Sequence, residues 1–394
     1  MKLFEPIQIG HLKVNNRIAF APTHMGQGTS RGEVNDQVLC HYSARAKGGT
    51  GLIIVQGTGI TGKYAFTMGR GIVCLGDHYR PGLKDLAEVI HFTGAKAVVQ
   101  VVLGQGAQAL FKHPRRDLVA PSEISTGIYE KGLPKALRKI GNIQGEKARA
   151  LTVQEIEELI EGVVHAARII KEAGFHGVEL HGAHGYLLAE FVSPLYNKRQ
   201  DEYGGSFEKR LTFPLRLIEG IRKEVGDKFL IGYRMSGDEH VDGGLDLNES
   251  VKVAMSLEKA GIDFVHLSSG CYEALKWLFP DQEGVMLPES KAFKAALHIP
   301  VICPNIHDPR TAERALDEGL ADMVSLSRAL LADPEWPQKA QEGRFDDIKR
   351  CVFCYTCVKA ILVENIPVRC SQNPEVGWER YLPKYFPEPS SRKR

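Results

Sequence analysis

Short apolar runs alternate with amphipathic stretches along almost the whole chain, and this alternation limits the fold more than any other feature. The runs fall at residues 17–21, 52–55, 97–102, 177–180, 229–234, 263–267, 300–303 and 322–326. Each is short and bounded by turn residues, as buried strands are. Between them lie helices with clear ends: 36–47, stopped by Gly48-Gly49; 83–93, after Pro81; 249–259, ended by Gly261; and one capped by Asp308, with Pro309 in its first turn, that runs to Glu318. The best marked helix begins with Thr152-Val153-Gln154-Glu155, a capping box, and stops at Gly174. Its apolar positions Ile156, Leu159, Ile160, Val163, Ala167 and Ile170 share one helical face. Eight strands alternating with helices spell an α/β fold, a parallel (β/α)8 TIM barrel. An open doubly wound sheet carries the same alternation, and periodicity does not separate the two.

The barrel is expected over residues 1–340, with a cysteine-rich C-terminal extension over 341–394 that ends in the polar tail 387–394. Residues 111–147, with Pro114, Pro121 and Pro134, are too many for an ordinary connection and predict a small subdomain. Net charge is +2, so bulk electrostatics favour neither a nucleic-acid nor a membrane partner. No apolar run approaches the roughly 18 residues of a membrane span. Met1-Lys2-Leu3-Phe4-Glu5-Pro6 lacks the apolar stretch of a signal peptide. A cytoplasmic protein is expected.

In a barrel, function sits on the loops that follow the strands. Those positions carry Pro22-Thr23-His24, Gly57, Gln100, His181, His184, Tyr186, Arg234, Ser268-Ser269-Gly270, Asn305 and Ser327-Arg328. Two imidazoles and a phenol within six residues mark a catalytic centre. The last loops combine small residues with an arginine that can fork onto phosphate oxygens, and Arg234 adds fixed positive charge, so an anionic, phosphate-bearing cofactor is expected. A His-x-x-His pair also suits a metal, but no third ligand is near in sequence. Either histidine alone also fits a satisfied core position. Gly104-Gln105-Gly106-Ala107-Gln108-Ala109 matches G-x-G-x-x-A, a weak signal by itself, and reads as a flexible loop over the cofactor. Lys131, Lys135, Arg138 and Lys139 read as a solvated face, or as a landing place for an acidic substrate such as a CoA thioester.

Of eight cysteines, Cys40, Cys74, Cys271 and Cys303 are scattered and read as small core side chains. Cys351, Cys354, Cys357 and Cys370 are clustered, which favours metal over disulfides. Three thiols in a tight run with a distant fourth fit iron–sulfur ligation better than the paired spacing of zinc.

Together, Asn16-Arg17, the run His181-Gly182-Ala183-His184-Gly185-Tyr186-Leu187, and Asn197-Lys198-Arg199-Gln200-Asp201-Glu202-Tyr203-Gly204-Gly205-Ser206 with Glu208 and Arg210 resemble the Old Yellow Enzyme family of FMN-dependent ene-reductases. The four-cysteine segment resembles the branch with bacterial 2,4-dienoyl-CoA reductase, 2-enoate reductase and trimethylamine dehydrogenase, whose barrels carry a 4Fe–4S cluster.

The resemblance implies FMN at the strand ends. Ala21, Pro22, Thr23 and His24 would run beside its ring, and Gly57 and Gln100 would bond its polar edge. Arg234 would face N1 and O2, while Asn305, Ser327 and Arg328 would hold the phosphate. His181 and His184 would bind a substrate oxygen, Tyr186 would donate the proton, and Cys351, Cys354, Cys357 and Cys370 would ligate the cluster. Dienoyl-CoA reductases place a histidine that assists the donor tyrosine where this chain has Tyr272, a further substrate-site position, and they lack the His181/His184 pair. That difference favours an enoate, an enone or a cyclic enoyl ester. The resemblance thus implies reduction of an α,β-unsaturated carbonyl compound in a homo-oligomer, with electrons from NAD(P)H or from a separate reductase or ferredoxin-like protein, since the chain ends soon after Cys370. A flavin amine dehydrogenase or demethylase, and an electron-transfer subunit of a larger flavoprotein, are the alternatives.

Overall fold

The structure is a computed structural model that describes residues 1–64, 69–113 and 116–385. The polar tail 387–394, Pro114 and part of the basic run 112–116 lie outside the described residues. Eight parallel strands close into a barrel in sequential order. They are β1 (Ile18–Phe20), β2 (Leu52–Gly59), β3 (Lys96–Val102), β4 (Gly177–Gly182), β5 (Leu230–Ser236), β6 (Phe264–Ser268), β7 (Val301–Cys303) and β8 (Met323–Leu326). Closure of β8 onto β1, with Leu326 opposite Phe20, rules out the open sheet.

Seven crossover helices join them: α1 (Asp36–Lys47), α2 (Arg80–His91), α3 (Val153–Glu172), α4 (Thr212–Val225), α5 (Leu247–Lys259), α6 (Leu287–Ala296) and α7 (Pro309–Asp317). The capping box of α3 forms as expected: the Thr152 side chain accepts from Glu155 N, and the Glu155 side chain reaches back to Thr152 N. Its loss would cost about 1 kcal/mol. All six apolar positions of that face are buried.

Strand residues alternate between two cores. Val178, Leu180, Ile231 and Leu267 belong to the layer between sheet and helices. Leu230, Phe264, Ile302 and Met323 fill the barrel's lower interior with residues of an N-terminal hairpin, Ile7–Ile9 and Leu12–Val14. At about 1.5–3 kcal/mol for each large apolar side chain, these layers dominate the stability.

Differences from the sequence expectation have physical causes. Strand β2 continues past Val55 to Gly59 because a register shift between Val55 and Thr58 lets pairing resume. The Gly104–Ala109 segment is not a flexible loop. It is buried, with a helical turn at Gly106–Ala109, because Glu190 Oε1 accepts from Ala107 N at 2.7 Å and Thr126 Oγ1 donates to Ala107 O at 2.9 Å. The subdomain after β3 pairs Val119–Ala120 with Arg149–Ala150 and Gly127–Ile128 with Ile143–Gln144.

Beyond β8 come the short helices Arg328–Ala332, Trp336–Gln341 and Thr356–Leu362. The C-terminal extension packs Val368 and Val376 on Met25 and Leu331. Its Glu379 is buried against α1, with Oε1 2.6 Å from Arg45 Nη1 and 2.8 Å from His41 Nδ1.

Candidate active site

A cavity with about 1300 Å³ of empty space, partly open to solvent, lies at the C-terminal ends of the strands. Every residue assigned above to flavin or substrate, from Ala21 to Arg328, borders it, and so does Cys357 of the extension.

His181 ends β4 on the interior side. Ala183 N approaches its Nδ1 at 3.4 Å. His184 takes φ +65°, in the left-handed region, and bonds Ser268 Oγ through Nε2 at 2.6 Å. The two rings meet edge to face, with centroids 4.8 Å apart. Burial, joined by the charge of Arg234, holds both imidazoles well below the usual histidine range, so both are neutral N–H groups. The ring of Tyr186 lies 4.9 Å from that of His181. Its hydroxyl is 3.0 Å from that of Tyr272, and burial pushes both phenols up. Leu133 and Leu137 of the subdomain share an apolar cluster with the two tyrosines. Among the described residues no group of three or more His, Cys, Asp or Glu is placed to hold a single metal ion, so the histidine pair has no third ligand.

The rest of the wall suits an anionic cofactor such as FMN. His24 Nδ1, Arg234 Nε, His307 Nδ1 and Arg328 Nη1 are buried without a hydrogen-bond partner, and all four residues border the cavity. Unpaired buried polar groups cost about 1–3 kcal/mol each, which a bound phosphate or flavin edge would relieve. A Cβ on Gly57 would lie 2.9 Å from Val102 Cγ2, so the wall is at its closest approach there. Thr23 Oγ1 and Ser327 Oγ are 2.7 Å apart. Asn305 donates to Gln282 O at 2.8 Å and accepts from Arg328 at 3.4 Å, so its side chain orients the arginine.

The extension reaches the same place. Phe353 and Tyr355 lie 4.9 and 5.8 Å from the Arg328 guanidinium. Cys351, Cys354, Cys357 and Cys370 are all free thiols. Burial raises Cys357 to about 12, with Cys351 and Cys370 close enough to add to it. Stable thiolates there need a metal's charge. In an iron–sulfur cluster each iron takes its own thiolate, so four thiols that ligate one need not meet at a single point.

Sequence reasoning missed three polar residues inside the barrel: Glu179, His266 and Ser325. Each is a polar side chain at alternate positions of a buried strand, and that pattern was a usable signal. It also missed Gln105, whose Nε2 donates to the Tyr272 hydroxyl at 3.1 Å.

A family model for NADH:flavin oxidoreductases / NADH oxidases matches residues 2–347. An NADH oxidase of Thermoanaerobacter brockii is 38% identical over 387 residues, covering 96% of this chain and 56% of that protein. A cinnamate reductase of Clostridium sporogenes is 32% identical over 403 residues, covering 96% and 58%. The solved 2-naphthoyl-CoA reductase complex with 2-naphthoyl-CoA superposes with a TM-score of 0.86 at 30% identity, covering 96% and 58%. The chain thus spans just over half the length of these relatives.

Proposed function

The chain belongs to the NADH:flavin oxidoreductase / NADH oxidase family, the Old Yellow Enzyme family of FMN flavoproteins, and from that premise we propose that this oxidoreductase reduces the C=C bond of an α,β-unsaturated carbonyl compound. The observation that carries this reading is the meeting of two neutral imidazoles and a protonated phenol on one wall of the cavity.

FMN would be held by Gln100 and Gly57 at its polar edge, by Arg234 at N1 and O2, and by Ser327 and Arg328 at the phosphate, and it would supply hydride from N5. The remaining chemistry belongs to the chain. The N–H groups of His181 and His184 hold the carbonyl oxygen and stabilise the negative charge that grows there. Being neutral, they neither lose a proton to the oxygen nor repel Arg234. Tyr186 gives its hydroxyl proton to the α-carbon, a general-acid role worth roughly 10²–10⁴-fold. Tyr272 then donates to the Tyr186 oxygen as it becomes negative. The subdomain leucines shield both phenols from water.

Cys351, Cys354, Cys357 and Cys370 would bind a 4Fe–4S cluster, which supplies one-electron transfer at the cavity's edge. NAD(P)H or a separate electron-transfer protein would be the source of reducing equivalents. The charge of the cavity supports a carbonyl over an amine substrate: Arg234 and Arg328 border it, and among the described residues no Asp or Glu does.

Anaerobically purified protein, assayed for flavin, iron and acid-labile sulfide and then offered cinnamate-type enoates, enones and methylated amines, tests the reading. Flavin with turnover of enoates or enones is expected. Turnover of amines alone overturns it.

A further inference from the structure

At the cavity floor the barrel interior holds Glu179, His266 and Ser325, polar side chains that no assignment so far uses. Glu179 on β4 is fully buried. Its Oε1 accepts from Gln100 Nε2 on β3 at 2.7 Å, and its Oε2 lies 2.8 Å from His266 Nδ1 on β6. The second bond passes over strand β5. Residue 232 makes this possible: it pairs with Glu179 on one side and Phe264 on the other, and as glycine it brings no side chain into the gap. A Cβ there would sit 2.0 Å from the Phe264 ring. His266 continues the row, with Nε2 2.8 Å from Ser325 Oγ on β8.

The donor and acceptor inventory fixes the direction of every bond. A carboxylate only accepts, so His266 carries its proton on Nδ1 and Ser325 donates to Nε2. For the same reason Gln100 must turn its NH2 group to Glu179. Its carbonyl Oε1 is then the end at the cavity, 3.3 Å from where a Cβ on Gly57 would stand. Glu179 also faces a charge. Arg234 on β5 stands opposite His181, two residues on from the Glu179–Gly232 pair, so both side chains face the barrel interior; the field of Glu179 offsets the burial that draws the guanidinium down.

We propose that Glu179 is a positioning residue for the flavin: its carboxylate locks the Gln100 amide with the carbonyl toward the ring's N3–H donor, and its negative charge, set against Arg234, keeps the flavin's reduction potential low. This rests on the assignment of FMN to the cavity. An amide flipped at Gln100 would place NH2 against that donor and lose the bond. With Glu179 neutral, Arg234 would act on the flavin unopposed and would favour its anionic reduced form.

The test compares wild type with Glu179→Gln and Glu179→Asp. FMN titration into apoprotein and the flavin midpoint potential are both read. Glu179→Gln is expected to raise the FMN dissociation constant about tenfold, about 1.4 kcal/mol, and to move the potential positive. Glu179→Asp keeps the charge but withdraws from Gln100, so its affinity falls while its potential stays near wild type. A merely structural role would lower the melting temperature and leave the potential unchanged in Glu179→Gln, which overturns the proposal. Should that variant not fold, unchanged FMN affinity in Glu179→Asp overturns it instead. Wild-type protein that binds no FMN contradicts the underlying assignment and not this relation alone.

Discussion

Tyr186 and Tyr272, from loops after different strands, bring their hydroxyl oxygens to 3.0 Å, and Gln105 donates to the Tyr272 oxygen from 3.1 Å. Either hydroxyl can donate in this pair; with Tyr272 donating, the Tyr186 proton is left for the cavity. Tyr272→Phe removes a hydrogen bond to a developing phenolate, a loss of about 1.5–3 kcal/mol. Oxidation of the reduced flavin by an enone should slow roughly 10- to 100-fold in stopped flow, with FMN binding unchanged.

The pH dependence follows from the direction of the shifts. His181 and His184 lie well below 6.5 through burial, and Tyr186 lies above 10. Both imidazoles therefore stay neutral, and the phenol stays protonated, across the neutral range. The rate of alkene reduction should be flat from about pH 6.5 to about pH 9, between ordinary histidine and tyrosine values. A step near pH 6.5 in the substrate half-reaction, measured by rapid mixing, would contradict neutral histidines.

The extension is tied to the barrel by an ion pair that acid should break. Burial works against the charge on Glu379, but His41 and Arg45 outweigh it and hold the carboxyl well below its usual range. Burial holds His41 down at about 4. Both groups bind more protons unfolded than folded, so this stability is complete above about pH 6.5 and falls as pH drops. Glu379→Gln leaves Arg45 buried without its counter-charge and should cost roughly 3–5 kcal/mol. Trp378 fluorescence on acid titration reports it: the variant's extension should loosen already at neutral pH, leaving only the His41 part of the acid dependence.

Much of this was legible in the sequence because the barrel repeats one signal. All eight strands were located, since a strand buried on both faces has to be apolar. Helices α4 and α6 were not singled out. Leu211 precedes α4 in helical conformation and gives no side-chain cap, and α6 likewise follows Met286 without one. The residues assigned to the flavin and substrate proved to share a cavity because barrels put function where strands end. Glu179 escaped notice for the opposite reason. It lies mid-strand among apolar neighbours, and its partners on β3 and β6 meet it only once the barrel closes. The Tyr186–Tyr272 contact was likewise invisible to spacing, since it joins loops 86 residues apart.

The central claim is that Tyr186 gives the proton to a substrate held by His181 and His184. Its most direct test is single-turnover oxidation of pre-reduced, anaerobic enzyme by an enone or enoate, wild type against Tyr186→Phe. The account predicts a rate roughly 10²–10⁴-fold lower in the variant, with FMN content and the reductive half-reaction unchanged. A variant that reoxidises within about threefold of wild type would contradict it.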